Sequence, residues 1–211
     1  MKGLIISSGC IGDYDKLKKE IERSDFIICA DGGIDHLLKL NIKPDLVLGD
    51  LDSTSETGLN YIKEKAIKVN LFPSIKDDTD TALAVEYLLD KEFDEITLMG
   101  VTGTRLDHTM ANILLLNTLL EKGVKGKIID DNNIIQLIDD ELMVEYKENS
   151  YVSIIPITED GIIVSLEGFY YNLCKEKIEF ASSYGISNKI IKDYGKIKIH
   201  SGKALVFISN D

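Results

Sequence analysis

From residue 4 to residue 129 the chain alternates short apolar runs with stretches of helical period, and this alternation narrows the possible folds most. Leu4 to Ile6, Phe26 to Ala30, Asp45 to Asp50, Val69 to Phe72, Ile96 to Met99 and Lys127 to Ile129 read as strands. Nearly continuous apolar runs of this length suit parallel strands buried on both faces. Between them, Leu17 and Ile21, Ile34 to Leu40, residues 55–65, Ala82 to Leu89 and Asp107 to Leu120 keep helical spacing. Strand alternating with helix predicts a parallel sheet with helices on both faces.

After about residue 132 no long helical period recurs. Ile134-Ile135, Leu142 to Val144, Tyr151 to Ile157, Ile162 to Leu166, Ile178 to Phe180, Ile197 to Ile199 and Leu205 to Ile208 are short β-rich runs between polar and glycine turns. The expected fold class is therefore α/β: an N-terminal parallel-sheet α/β sandwich domain, residues 1–132, followed by a smaller all-β antiparallel sandwich, residues 133–211.

A net charge of -12 argues against broad nucleic-acid binding, which needs a basic surface. It leaves room for a small phosphate ligand held by a metal ion and a few local cations. The three cysteines form no CxxC pair, and Cys10 and Cys29 are expected to be small buried hydrophobes in a reducing cytosol. No run approaches membrane-spanning length, so the expected location is the cytoplasm, with no membrane partner.

Polar clusters follow successive strands at one end. Asp31-Gly32-Gly33 follows the second, Asp50 and Asp52 the third, Lys76 to Asp80 the fourth, and Gly100 to His108 the fifth. In open α/β sheets the carboxyl ends of strands are where ligands bind. Asp50 and Asp52, two apart on an extended backbone, would face the same way and repel unless a cation lies between them. Hard divalent cations such as Mg²⁺ favour such oxygen ligands. Asp80 joins them as a metal candidate because Thr79 can cap the following helix. Gly32 and Gly33 form a strand-to-helix turn that could also let a nucleotide approach the backbone. Arg105 offers a planar fork of donors for phosphate oxygens, and His108 begins a helix. His36 and His200 have no evident partners and read as structural.

Taken in order, Ala30-Asp-Gly-Gly33, Gly49-Asp-Leu-Asp-Ser53, Lys76-Asp-x-Thr-Asp80, Gly100-x-x-Gly-x-Arg-Leu-Asp-His108 and Gly185-Ile-Ser-Asn188 resemble the thiamine pyrophosphokinase family over essentially the whole chain. The resemblance implies transfer of the diphosphate of ATP to the hydroxyl of thiamine, giving thiamine diphosphate and AMP. It implies Mg²⁺ on Asp50, Asp52 and Asp80, and ATP along the sheet edge near Asp31, Gly32, Gly33, Lys76, Thr102, Gly103, Arg105 and His108. Thiamine would lie near Ser187 and Asn188, in a homodimer whose sites are shared between subunits. The chain contains no Trp to stack on thiamine, so Tyr184 or another ring would take that place. Lys76 and Arg105 would meet phosphate charge, and either Asp77 or Asp107 would orient or deprotonate the alcohol. Two rival readings are a metal-dependent phosphohydrolase and a non-catalytic nucleotide or thiamine sensor.

Overall fold

In the N-terminal unit, Met1–Asp131, β1 (Lys2–Ile6) is the strand on which the rest is laid. Leu4, Ile5 and Ile6 are wholly buried, because both sheet faces are covered by helices and both strand edges are paired. The structure, a computed structural model, describes residues 1–71 and 78–210. In chain order β1 is followed by α1 (Tyr14–Glu22), β2 (Phe26–Ala30), α2 (Ile34–Leu40), β3 (Leu46–Gly49), α3 (Glu56–Glu64), β4 (Val69–Leu71), α4 (Asp80–Leu89), β5 (Glu95–Met99), α5 (Leu106–Glu121) and β6 (Lys125–Ile129). A single 3-10 turn, Asp31–Gly33, leads from β2 into α2.

The strands lie side by side in the order β4-β3-β2-β1-β5-β6, all parallel. Leu4 is level with Ile27 on one side and Thr97 on the other. After β4 the chain returns across the sheet to β5, so β1 and β5 flank a topological switch point. Helix starts follow local chemistry. Asp13, Ser55 and Thr79 each accept a hydrogen bond from a backbone N–H of the first turn of α1, α3 and α4. No helix among the described residues is long and apolar enough to cross a membrane.

The second unit, Asn132–Asp211, holds β7 (Asn133–Ile138), β8 (Glu141–Glu145), β9 (Ser150–Pro156), β10 (Ile162–Glu167), β11 (Leu173–Ile178), β12 (Tyr194–Ser201) and β13 (Ala204–Asn210). One layer is β7-β13-β9 and the other β11-β10-β12-β8, antiparallel throughout. Strict alternation of burial along β9 shows one face turned to the core. Val152, Ile154 and Val206 from one layer pack with Val164, Leu166, Ile197 and Ile199 from the other, around the fully buried Phe169. The α/β unit is thus followed by an antiparallel β-sandwich.

Two expectations fail. The strand expected at Ile178 to Phe180 instead spans Leu173–Ile178, and Phe180 is exposed. Its residues Cys174 to Lys177 are exposed along the edge of a sheet, where a charged sequence pairs on one side without being buried. Cys10 is exposed rather than buried, because it lies in the loop beyond β1 and not in the strand. Cys29, inside β2, is buried, and burial pushes its thiol far above the ordinary range.

Candidate active site

The carboxyl ends of β1, β2, β3 and β5 open onto two adjoining clefts in the first unit. One, of about 410 Å³, lies at the switch point and is lined by Ser7 to Cys10, Gly100 to Arg105 and the start of α5. The other, of about 310 Å³, is acidic and is lined by Asp31, Asp50, Asp52, Asp78 and Asp80. Ser7, Ser8, Thr81 and His108 border both. Doubly wound sheets bind ligands in this position.

The acidic cleft is built by unusual backbone. Asp50 and Asp52 lie beyond the end of β3 and are brought together by a turn, not by strand pleating. The Asp52 N–H donates to Asp50 Oδ1 at 3.0 Å, and Leu51 between them adopts a left-handed φ of 66°. Asp31, also left-handed at φ 52°, closes the group. Carboxylate oxygens of Asp31, Asp50 and Asp52 lie within 4.8 Å of one another. Left-handed non-glycine residues are strained, and strain of this kind concentrates at functional sites. Asp80, the first residue of α4, faces Gly49, and a Cβ there would come within 2.9 Å of its carboxylate. Gly49 has a φ of 143°, so both the conformation and the space call for glycine.

Ser53 Oγ donates to Asp31 Oδ2 and accepts from the Gly32 N–H. The other oxygen, Asp31 Oδ1, is buried with no hydrogen-bond partner among the described residues. Burial raises the Asp31 pKa; Ser53 opposes that, and Asp80, Asp52 and Asp50 add to it. An orphaned carboxylate oxygen among other carboxylates is the environment a hard divalent cation satisfies. Asp31, assigned from sequence to the nucleotide, therefore sits among the candidate metal ligands. Gly32 and Gly33 are buried. A Cβ on Gly33 would lie 2.0 Å from the Ile6 carbonyl oxygen, so this glycine lets the turn pack on β1.

At the other cleft, Arg105 precedes α5 and makes a two-pronged contact with Asp107, Nε to Oδ1 at 3.3 Å and Nη2 to Oδ2 at 2.6 Å. Arg105, followed by the His108 backbone N–H, holds the Asp107 carboxyl down at about 2. Thr102 donates from its hydroxyl to Asp130 at 3.2 Å, and the Gly103 N–H donates to Thr109 Oγ1 at 3.2 Å. Buried Asn112 of α5 donates to the Val101 carbonyl at 2.8 Å and fixes the same loop. Lys76 and Asp77 lie outside the described residues.

In the second unit Asn188 borders a cavity of about 180 Å³, with Leu166, Tyr171, Leu173, Tyr184, Gly185 and Ile186. Its side chain accepts from the Tyr171 and Lys189 N–H groups at 3.0 and 2.9 Å and donates to the Tyr171 carbonyl at 2.8 Å. Ser187, left-handed at φ 59°, donates its N–H to Ser153 Oγ at 3.0 Å and is exposed. Sequence reasoning missed Ser7 and Ser8, whose signal was a Ser-Ser-Gly following a buried strand, and Tyr171, which carried none.

Comparison with known proteins shows the family. A family profile described as "Thiamin pyrophosphokinase, catalytic domain" matches residues 10–128, and one described as "Thiamin pyrophosphokinase, vitamin B1 binding domain" matches residues 137–206. The chain is 35% identical over 186 residues to the thiamine pyrophosphokinase of Bacillus subtilis, covering 87% of each. A crystal structure of Bacillus subtilis thiamine pyrophosphokinase superposes with a TM-score of 0.90 at 32% identity over 100% of both chains. That of Geobacillus thermodenitrificans thiamin pyrophosphokinase gives 0.87 at 27%, covering 100% of this chain and 98% of the other. With both profiles in order and full-length likeness in sequence and structure, the chain belongs to the thiamine pyrophosphokinase family.

Proposed function

We propose that the protein transfers the diphosphate of ATP to the hydroxyl of thiamine, releasing AMP, with its phosphate chemistry at the two adjoining clefts of the α/β unit. The observation that carries this reading is the orphaned Asp31 oxygen inside a carboxylate group at the edge of the cleft where the sheet reverses. Asp31, Asp50 and Asp52 would hold Mg²⁺, with Asp80 at the facing helix start. When bound, the ion neutralises charge on the phosphates and so eases attack by an alcohol. ATP occupies the cleft of Ser7 to Cys10 and Gly100 to Arg105. The Arg105 fork exchanges Asp107 for phosphate oxygens, and His108 and the N-terminus of α5 face the same anion. Asp107, released when Arg105 turns to phosphate, and Asp77 are the two carboxylates we assign as candidates to orient or deprotonate the thiamine hydroxyl. Asn188 shapes the apolar cavity that receives a thiamine ring, with Tyr171 and Tyr184 as the aromatic surfaces and Ser187 beside it.

The protein acts in the cytoplasm as a homodimer whose sites draw on both subunits, and neither nucleic acid nor membrane is a partner. The hydrolase and sensor readings draw no support from the relatives named above. Incubation with ATP, thiamine and Mg²⁺ should yield AMP and thiamine diphosphate in equal amounts, and none without thiamine. ATP consumption without thiamine would replace the transferase with a hydrolase, and no turnover at all would favour the sensor. Asp50→Asn and Asn188→Ala variants, inactive singly, should recover about a quarter of wild-type activity when refolded together, by counting intact sites in a twofold dimer. No recovery would refute sharing.

A further inference from the structure

Behind the nucleotide cleft, four residues from three elements form one directed chain of hydrogen bonds. Lys39, in the last turn of α2, donates to the Tyr14 hydroxyl at 2.8 Å, and that hydroxyl meets His36 Nδ1 at 2.9 Å. His36 Nε2 lies 2.9 Å from the carbonyl oxygen of Gly9. The direction follows from what each group can do. A carbonyl only accepts, so Nε2 carries the hydrogen. The neutral ring then has a lone pair at Nδ1, so Tyr14 donates to it while its own oxygen accepts from the ammonium, which can only donate. His36 is half-buried. Burial lowers its pKa, the Gly9 carbonyl opposes that, Lys39 adds to it, and Asp35 opposes it, which keeps the ring neutral near neutrality. The Lys39 ammonium also lies 5.2 Å from the centre of the Tyr14 ring.

The receiving end of this chain is part of the cleft wall. The peptide unit between Gly9 and Cys10 is held at both ends: its carbonyl by His36, and its N–H by the Thr102 carbonyl at 3.0 Å. The Gly9 N–H donates in turn to the Gly100 carbonyl at 2.6 Å. Loops after β1 and β5, the two strands at the switch point, are thereby joined along the floor between them. Without its carbonyl anchor the Gly9–Cys10 peptide is free to rotate, and rotation would also break the bond to Thr102.

We propose that His36, held as the Nε2–H tautomer by Tyr14 and Lys39, is a positioning residue that fixes the Gly9–Cys10 peptide and so sets the shape of the nucleotide cleft. The inference rests on the reading that ATP occupies that cleft. It touches no reacting atom, so its loss should weaken binding of ATP in ground and transition states alike, raising KM with kcat little changed.

His36→Ala should raise the KM for ATP by about 5–10-fold, the scale of one lost hydrogen bond. kcat and the KM for thiamine should stay within about twofold. His36→Gln, whose amide N–H can take the place of Nε2–H, should restore most of the affinity. Tyr14→Phe leaves the Gly9 bond possible but frees the tautomer, so it should raise the KM for ATP by about 2–3-fold. Nitrogen-15 NMR of the wild-type ring should show a protonated Nε2 and an unprotonated Nδ1. An Nδ1–H tautomer, a Gln variant no better than Ala, or equal rises in both KM values would each overturn the proposal. If His36→Ala fails to fold, an unchanged KM for ATP in Tyr14→Phe overturns it. Alkylation of exposed Cys10, read by peptide mass, reports cleft occupancy separately. If ATP fails to protect Cys10, the occupancy reading falls and takes this inference with it. Protection together with an unmoved KM in His36→Ala defeats this inference alone.

Discussion

Asp52→Asn tests the acidic cleft through stability alone, without reference to turnover. Carboxylate oxygens of Asp31, Asp50 and Asp52 lie within 4.8 Å of one another. At that separation two unit charges repel by about 1 kcal/mol in bulk water and about 3 kcal/mol at an effective dielectric of 20. Asp52 is exposed, which puts its repulsion with each of the half-buried Asp31 and Asp50 near the lower figure. The substitution leaves the Asp52 backbone N–H donating to Asp50 Oδ1, so the turn survives. In EDTA the variant should therefore be more stable than the wild type by about 1–2 kcal/mol, or about 2–8 °C in Tm for a chain of this size. Saturating Mg²⁺ should reverse the order. Wild type gains about 2.7 kcal/mol at a hundredfold excess over Kd, and the variant gains little. The pH dependence has a definite sign. Asp31 is raised in the folded state, so between its unfolded and folded pKa values the native chain binds more protons. Metal-free stability consequently falls as pH rises through that interval, and the fall should flatten in Asp52→Asn, which loses one cause of the raised value. Thermal melts by circular dichroism, with EDTA and across a Mg²⁺ titration, measure all of this. A variant less stable than wild type in EDTA, or equally stabilised by Mg²⁺, would refute the reasoning.

Three further outcomes are expected. Because Asp107 is depressed to about 2, its pair with Arg105 keeps one charge state at every pH above roughly 4, its contribution being lost only as pH falls through that low value. Any inflection of kcat/KM between about pH 5 and 8 should thus persist in Asp107→Asn; its disappearance would make Asp107 the titrating base. Gly33→Ala would place a Cβ 2.0 Å from the Ile6 carbonyl oxygen and should cost about 1–3 kcal/mol or more, read as a lower urea midpoint. An unchanged midpoint would show that the turn relaxes freely. Asn188→Ala strands the Tyr171 N–H and carbonyl and should destabilise by about 1–3 kcal/mol while raising the Kd for thiamine and not that for ATP, read by calorimetric titration. Equal rises in both constants would remove Asn188 from the thiamine cavity.

What the sequence determined by itself is what near neighbours decide. Continuous apolar runs marked β1, β2, β3 and β5, because a strand buried on both faces admits little else. Thr79 could be named as the cap of α4 because capping involves residues only three apart. The clusters at strand ends were legible for the same reason, since parallel alternation alone sends them to one edge of the sheet. The tertiary structure decided what depends on distant partners. Asp31 joins Asp50 and Asp52 only because β2 and β3 are neighbours, and the strained turn that brings those carboxylates together has no periodic signature. Strand β11 was misplaced because an exposed edge takes its order from pairing with β10 and not from an apolar pattern. Asn188 serves Tyr171 across a fold of the sandwich. His36 reaches back 27 residues to Gly9 and 22 to Tyr14, contacts that exist only once α1 and α2 are laid against the loop beyond β1. Hydrogen bonds of this kind are specified by where the packed sheet and helices bring two backbones, and hydrophobic period carries no information about that.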